Sequence, residues 1–204
     1  MEGTLKQMRE MLRTWERGRF VFTDDFTSLE SQGSVRIGLC QLVSEGVLHR
    51  LARGIYYYAG VSGNINITTS FVLPSEETIA YAVAERERIR IIPYGDQAAK
   101  KLGITGMSFS MLKYLTDGAP RVINLAKGRK IYFKHTSEVK MFDFCNETMQ
   151  MISSAIRALG AEMIGEREKL ILQEAIRKVP EKDFEKDITI PPAWVQVIML
   201  ELWN

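Results

Sequence analysis

The sequence predicts an α+β protein of two domains, and three observations lead to that prediction. Near the N-terminus, apolar residues recur at helical spacing, at Leu5, Met8, Leu12 and Trp15. After Gly46 the pattern changes to alternation around a central Arg53-Gly54, as in a two-stranded hairpin. Beyond residue 75, helical and β-branched segments follow one another and end in a helical C-terminal part. Helices beside a sheet in each half indicate the α+β class.

Length and composition are those of a globular chain. The 204 residues, 46% hydrophobic and 25% charged, suit one or two domains of about 100 to 200 residues, and we expect two. Cys40 and Cys145 form no CxxC pair, so neither a zinc cage nor a disulfide framework is predicted. The sequence has neither a basic start followed by an apolar run nor about 18 consecutive apolar residues. We therefore expect a reduced, cytoplasmic protein without membrane association.

Charge is unevenly distributed along the chain. The net charge of +2 and the pI near 8.5 are too mild to identify a nucleic-acid-binding protein by themselves. Residues 86–134 contain 11 basic residues (Lys and Arg) and 3 acidic residues (Asp and Glu). Residues 138–187 contain 8 basic and 11 acidic residues. The basic middle segment is either a solvated surface balanced by the acidic helices that follow, or a face for an acidic partner.

Three helices are predicted in the first 46 residues. The first covers residues 4–16, and a strand at residues 20–22 leads to a cap at Thr23. Phe26 and Leu29 then form one face of a short second helix. The third helix covers residues 34–45, with Gly46 as its C-terminal cap and an inner side of Val35, Leu39, Leu42 and Val43.

The outer side of this third helix lacks acidic residues. At about 100° per residue, the side opposite the apolar stripe carries Ser34, Ile37, Gln41 and Ser44, with Arg36 and Cys40 on its flanks. A helix inserted in a DNA groove usually reads base edges with residues near its N-terminus. Glu45 lies at the opposite end of this helix.

A basic hairpin is predicted directly after this helix. The residues before the turn alternate between two faces, with Val47, His49 and Leu51 on one face and Leu48 and Arg50 on the other. A glycine at the tip permits the positive φ of a tight turn. A helical bundle, a reading helix and a hairpin in this order predict a winged helix-turn-helix whose Arg50 and Arg53 contact phosphate or the minor groove. The alternative is a three-helix bundle whose hairpin contacts protein.

The block GRFVFTDDF…QLVSEGVLHRLARGIYYY resembles the N-terminal winged helix of AbiEi-type antitoxins, which repress type IV abortive-infection toxin-antitoxin operons. The likeness continues through PSEETIAYAVAERERIRIIPYGDQAAKKLGIT and YLTDGAPRVINLAKGRKIYFKHTS, and so covers residues 19–137. The resemblance implies that the second domain opposes a nucleotidyltransferase-type toxin, with or without a stable complex. The outer face of the reading helix is less basic than is common in that family, which leaves the operator sequence open.

The predicted first domain covers residues 1–60 and the second covers residues 75–204. The boundary between them lies near residues 60–74. A helix starting at Ser75 has the stripe Ile79, Ala82 and Val83. Pro93 ends a buried strand and Gly103 ends a short helix. Three strands then form an antiparallel sheet with turns at Asp117-Gly118 and Gly128-Arg129, and the predicted C-terminal helices cover residues 143–159, 166–179 and 193–200.

Catalysis is not predicted. The carboxylates, including Glu76, Glu77 and Asp96, lack metal-ligand spacing, and His49 and His135 lie far from any nucleophile motif. Residues 103–106, GITG, lack the context of a phosphate-binding loop and read as a turn. We therefore expect no enzyme activity, no metal and no cofactor.

The predicted function is that of an antitoxin that also represses its own operon by binding an inverted repeat, where a dimer could bind. The predicted DNA-binding residues are Ser34, Arg36, Ile37, Gln41, Ser44, Arg50 and Arg53. A basic face for toxin antagonism or accessory contact comprises Lys100, Lys101, Arg121, Lys127, Arg129 and Lys130. Two alternatives stay open: a regulator without a toxin, whose second domain senses a ligand or dimerises, and a nuclease or transferase that docks through the winged helix.

Overall fold

The computed structural model describes residues 2–29, 31–59, 73–106 and 111–204. The chain forms two compact units. The first unit comprises Met1–Ala82 with Ile123–Arg129, and the second comprises Val83–Val122 with Lys130–Asn204. Most of the predicted domain boundary at residues 60–74 lies outside the described residues. Helices and two sheets combine in one chain, so the predicted α+β class and the helical C-terminal part are confirmed.

The first unit begins with elements in the predicted order. These are α1 (Glu2–Thr14), β1 (Arg19–Phe22), a 3-10 turn (Thr23–Phe26), α2 (Gln32–Ser44), β2 (His49–Ala52) and β3 (Ile55–Tyr58). The predicted short second helix, with Phe26 and Leu29 on one face, is a single 3-10 turn that ends at Phe26 and does not include Leu29. The Asp25 carboxylate accepts the Phe22 N–H at 2.8 Å and fixes the tight turn. Phe26 is still buried, as its apolar character predicted.

The first sheet is antiparallel in the order β1-β3-β2, with a bulge between Arg50 and Ala52. The predicted alternation before the turn was wrong at Leu48, which is fully buried. The N–H groups of Val47 and Leu48 both donate to the Leu42 carbonyl, at 2.9 and 3.1 Å. Leu48 therefore closes the end of α2 and packs in the core before the strand begins. That core is formed by Met8, Leu12, Val21, Phe26, Val35, Leu39, Leu42, Leu48, Tyr56 and Tyr58.

The second sheet has the order β4-β5-β7-β6. Its strands and the helices before and between them are α3 (Glu76–Glu87), β4 (Ile91–Pro93), α4 (Gly95–Lys101), β5 (Met111–Thr116), β6 (Arg121–Asn124) and β7 (Lys130–His135). The predicted antiparallel sheet with a hairpin at Asp117-Gly118 was wrong, because β5 pairs with β7, in parallel. The Asp117 carboxylate instead accepts hydrogen bonds from the backbone N–H and from Nε of Arg90, at 2.8 and 2.7 Å. These bonds tie the end of β5 to the start of β4.

Four helices complete the second unit: α5 (Glu147–Leu159), α6 (Glu166–Ile176), α7 (Glu181–Asp187) and α8 (Ala193–Trp203). The start of α5 lies four residues later than the predicted 143, because the Asn146 side chain accepts the Thr148 and Met149 N–H groups and caps the helix there. The unpredicted α7 ends in Asp187, a buried carboxylate that accepts the Cys145 and Asn146 N–H groups at 2.9 and 2.8 Å. It therefore anchors the start of α5.

Within the described ranges, no helix combines the length and apolar character needed to cross a bilayer.

Candidate nucleic-acid interface

One side of α2 is fixed against the core of the first unit. Ser31 caps the N-terminus of α2, because its hydroxyl accepts the Ser34 N–H at 3.4 Å. From there, Val35, Leu39 and Leu42 recur at helical spacing and are almost completely buried. Because these residues pack inward, the rotation of α2 is set and the opposite side faces outward.

The outward side carries the residues that the sequence predicted for it. Arg36, Ile37, Cys40, Gln41 and Ser44 are exposed, and Ser34 is half-buried. Ile37 leaves 55% of its surface uncovered. We call these six residues the outer face of α2; it contains no carboxylate.

The acidic residue that follows α2 is held by α1. Glu45 accepts two hydrogen bonds from Arg9 Nη2, at 2.7 and 2.8 Å to its two carboxylate oxygens. The Arg9 hydrogen bond lowers the pKa of Glu45 below its ordinary value. The negative charge at this end of the helix is therefore balanced by a neighbouring guanidinium.

The hairpin of β2 and β3 presents two arginines. Arg53 and Gly54 form its two-residue connection, and Gly54 has a φ of +76°, which favours glycine. The Thr23 N–H donates to the Gly54 carbonyl at 3.3 Å and ties the tip to the end of β1. Arg50 and Arg53 are both exposed.

Arg50 lies next to a buried phenol of the hairpin. Arg50 lies directly opposite Tyr56 in the β2–β3 register. Burial raises the pKa of Tyr56, the charge of Arg50 opposes that shift, and Cys40 on α2 adds to it. Residues directly opposite one another in an antiparallel pair place their side chains on the same face of the sheet, and Tyr56 packs in the core together with the inner side of α2. Arg50 therefore leaves the sheet on the face against which α2 packs.

Two further arginines were missed by the sequence predictions. Arg17 lies over the Tyr58 ring at 5.4 Å, and Arg19 lies over the Trp15 ring at 4.3 Å. Both are exposed and lie at or just before β1, the edge strand opposite β2. The segment ERGRF beside aromatic residues was the available signal, since cationic side chains favour aromatic faces.

The six residues of the predicted basic face are spread over several elements. Lys100 and Lys101 occupy the last turn of α4, while the other four lie within residues 121–130, on β6, a 3-10 turn and β7. Arg121 pairs with Glu87 and Arg129 pairs with Glu76, so these two charges are partly balanced. Lys127 and Lys130 are exposed.

No group of three or more His, Cys, Asp or Glu side chains that could hold a metal ion occurs in the part of the chain that the structure describes.

Comparison with known proteins gives a family match without a function. The model of a family described as "Family of unknown function (DUF6088)" matches residues 7–184. No curated protein matches the chain. Among solved structures, the RV2827C protein from Mycobacterium tuberculosis is similar at 11% identity with a TM-score of 0.41, over 95% of this chain and 79% of that one.

Proposed function

The chain belongs to the family of unknown function DUF6088, and we propose that this member binds duplex DNA through its first unit and represses its own operon. The observation that carries the proposal is the outer face of α2, which is exposed and free of carboxylates and is followed along the chain by a hairpin that presents Arg50 on the face against which α2 packs. A reading helix and an adjacent basic hairpin are the parts with which a winged helix-turn-helix contacts DNA.

The outer face offers contacts for base edges in the major groove. A guanidinium such as that of Arg36 recognises guanine, and a carboxamide such as that of Gln41 recognises adenine. Ile37 suits the methyl group of thymine, and Ser34 and Ser44 can contact either kind of base edge. Arg50 and Arg53 would hold the backbone or the minor groove and fix the register of the helix. An inverted repeat would allow two copies to bind with two-fold symmetry.

Replacing Arg53 by alanine tests the role of the hairpin. Loss of one phosphate contact should weaken binding to every duplex and lower the slope of log K against log salt concentration by about one. Fluorescence anisotropy with the DNA upstream of the gene, at two salt concentrations, measures both quantities. Arg177→Ala, an exposed arginine of the second unit, is the matched control. Unchanged affinity of Arg53→Ala at both concentrations would contradict the assignment.

The resemblance to AbiEi-type antitoxins supports a second part of the proposal, in which the protein opposes a nucleotidyltransferase-type toxin. The candidate residues are Lys100, Lys101, Arg121, Lys127, Arg129 and Lys130, of which Lys127 and Lys130 are exposed and Arg121 and Arg129 hold carboxylates. Co-expression of this chain with a nucleotidyltransferase encoded beside its gene should restore growth. Arg53→Ala, the variant expected to bind DNA more weakly, should still restore growth, because repression of the operon and antagonism of the toxin are separate activities.

Failure to restore growth, or the lack of such a neighbouring gene, would favour the alternative of a winged-helix regulator without a toxin. In that case the second unit would sense a ligand or dimerise. This outcome would not affect the proposal that the first unit binds DNA.

A further inference from the structure

The parallel pairing of β5 and β7 brings two strand ends to one edge of the second sheet. Leu115 lies opposite Lys134 and Thr116 lies opposite His135 at the last two positions of the pair. The Thr136 N–H continues this register by donating to the Thr116 carbonyl at 2.9 Å. In open sheets with parallel strands, ligands bind outside the carboxyl ends of those strands.

A cavity of about 490 Å³ opens at this edge, inside the second unit. This volume lies in the range of small-molecule sites, about 300 to 1,000 Å³. Its polar lining includes Tyr94, Lys134, His135, Thr136, Ser154 and Arg157. We call it the strand-end cleft.

The charges in the strand-end cleft leave one cation unbalanced. Its two carboxylates are already paired, Asp96 with Lys113 at 3.3 Å and Glu138 with Arg157 at 2.8 Å. Lys134 Nζ lies 3.5 Å from the Tyr94 hydroxyl and 5.3 Å from the centre of its ring. Among the described residues no carboxylate lies within salt-bridge distance of Lys134. An anion would supply the missing countercharge.

Other side chains of the strand-end cleft have hydrogen-bond donors available for a ligand. Nδ1 of His135 donates to the Gly118 carbonyl at 2.9 Å, which leaves Nε2 as the ring nitrogen available to a ligand. The Thr136 hydroxyl oxygen accepts the Glu138 N–H at 3.2 Å, so its own proton can be donated. Arg157 has five N–H donors and uses only some of them on Glu138 and Met141.

We propose that the strand-end cleft binds a small phosphoryl-bearing anion of about mononucleotide size. A phosphoryl group has three outer oxygens, so it can accept from Lys134, Arg157 and Thr136 at the same time, whereas a carboxylate offers two. The remaining volume of the cleft accommodates the group that carries the phosphate. This site lies in the second unit and does not depend on DNA binding by the first.

Isothermal titration calorimetry of the full chain tests the proposal. The titrants are adenosine 5′-monophosphate, ribose 5-phosphate, inorganic phosphate, acetate and adenosine. We expect saturable binding of the phosphorylated compounds and none of acetate or adenosine. Lys134→Gln should weaken the binding of adenosine 5′-monophosphate about tenfold or more, because one charge-assisted hydrogen bond is lost.

Lys182→Gln is the matched control, since Lys182 is an exposed lysine of the second unit that does not line the cleft. It should bind like the wild type, and thermal melting should show that both variants fold. Equal binding of inorganic phosphate and the nucleotide supports recognition of the phosphoryl group alone, and tighter nucleotide binding supports additional contacts. Absence of saturable binding, wild-type affinity in Lys134→Gln, or equal binding of acetate and phosphate overturns the proposal.

Discussion

Replacing Ile37 by glutamate is expected to reduce the affinity for operator duplex about 100-fold, or by about 2.7 kcal/mol. Ile37 lies at the centre of the outer face of α2 and is 55% exposed. The change removes an apolar contact with a base and places a carboxylate between two rows of phosphates. A good base contact is worth about 1 to 3 kcal/mol, and like-charge repulsion adds to that loss.

Leu170→Glu provides the control for this experiment. Leu170 is also an apolar residue on the exposed side of a helix, α6, with 66% of its surface uncovered. Both variants should melt like the wild type, because neither residue belongs to a core. Only Ile37→Glu should lose affinity in fluorescence anisotropy. Wild-type affinity of Ile37→Glu, or equal losses in both variants, would show that α2 does not read DNA.

The largest expected loss of stability comes from replacing Gly95 by alanine. An added Cβ at this position would overlap the Cβ of Ala158 and lie 2.5 Å from the backbone oxygen of Ser154. Because that oxygen belongs to the backbone of α5, it cannot rotate away as a flexible side chain could. The packing of α4 against α5 must therefore open, at a cost of about 2 to 3 kcal/mol in the free energy of unfolding.

Urea unfolding followed by circular dichroism measures this loss. Gly106→Ala is the matched control, because nothing lies within 4 Å of its added Cβ and its φ is not positive. That variant should be at least as stable as the wild type, since alanine restricts the unfolded chain. A Gly95→Ala variant with wild-type stability would mean that α4 and α5 do not pack in close contact at Gly95.

The candidate DNA-binding face could be predicted from the sequence because its determinants are local. The helical spacing of Val35, Leu39 and Leu42 decides which side of α2 is buried, and the remaining residues must then face outward. Likewise, Arg53-Gly54 between two short β-branched and aromatic segments indicates the hairpin. Leu48 is the exception, because its burial depends on hydrogen bonds that close the helix rather than on strand alternation.

Long-range features could not be predicted in the same way. Asp117-Gly118 has the composition of a hairpin turn, but strand pairing depends on contacts distant in sequence, and β5 pairs with β7. The strand-end cleft could therefore not be predicted from the sequence, because it exists only where these two strands end side by side. The helix α7 was missed for a related reason: its seven residues are mostly charged, and its role becomes evident only through Asp187.

The two cysteines allow the most direct test of DNA reading by α2. Cys40 is exposed on the outer face, and Cys145 is exposed in the second unit. A hydrogen bond to Asp187 and the negative charge of that residue raise the pKa of the Cys145 thiol, so Cys145 should react slowly but independently of DNA. Alkylation by N-ethylmaleimide, followed by mass spectrometry with and without saturating duplex from upstream of the gene, reports on both thiols at once. We expect duplex to slow the alkylation of Cys40 at least tenfold and to leave that of Cys145 unchanged; equal alkylation of Cys40 in bound and free protein would show that α2 does not contact DNA.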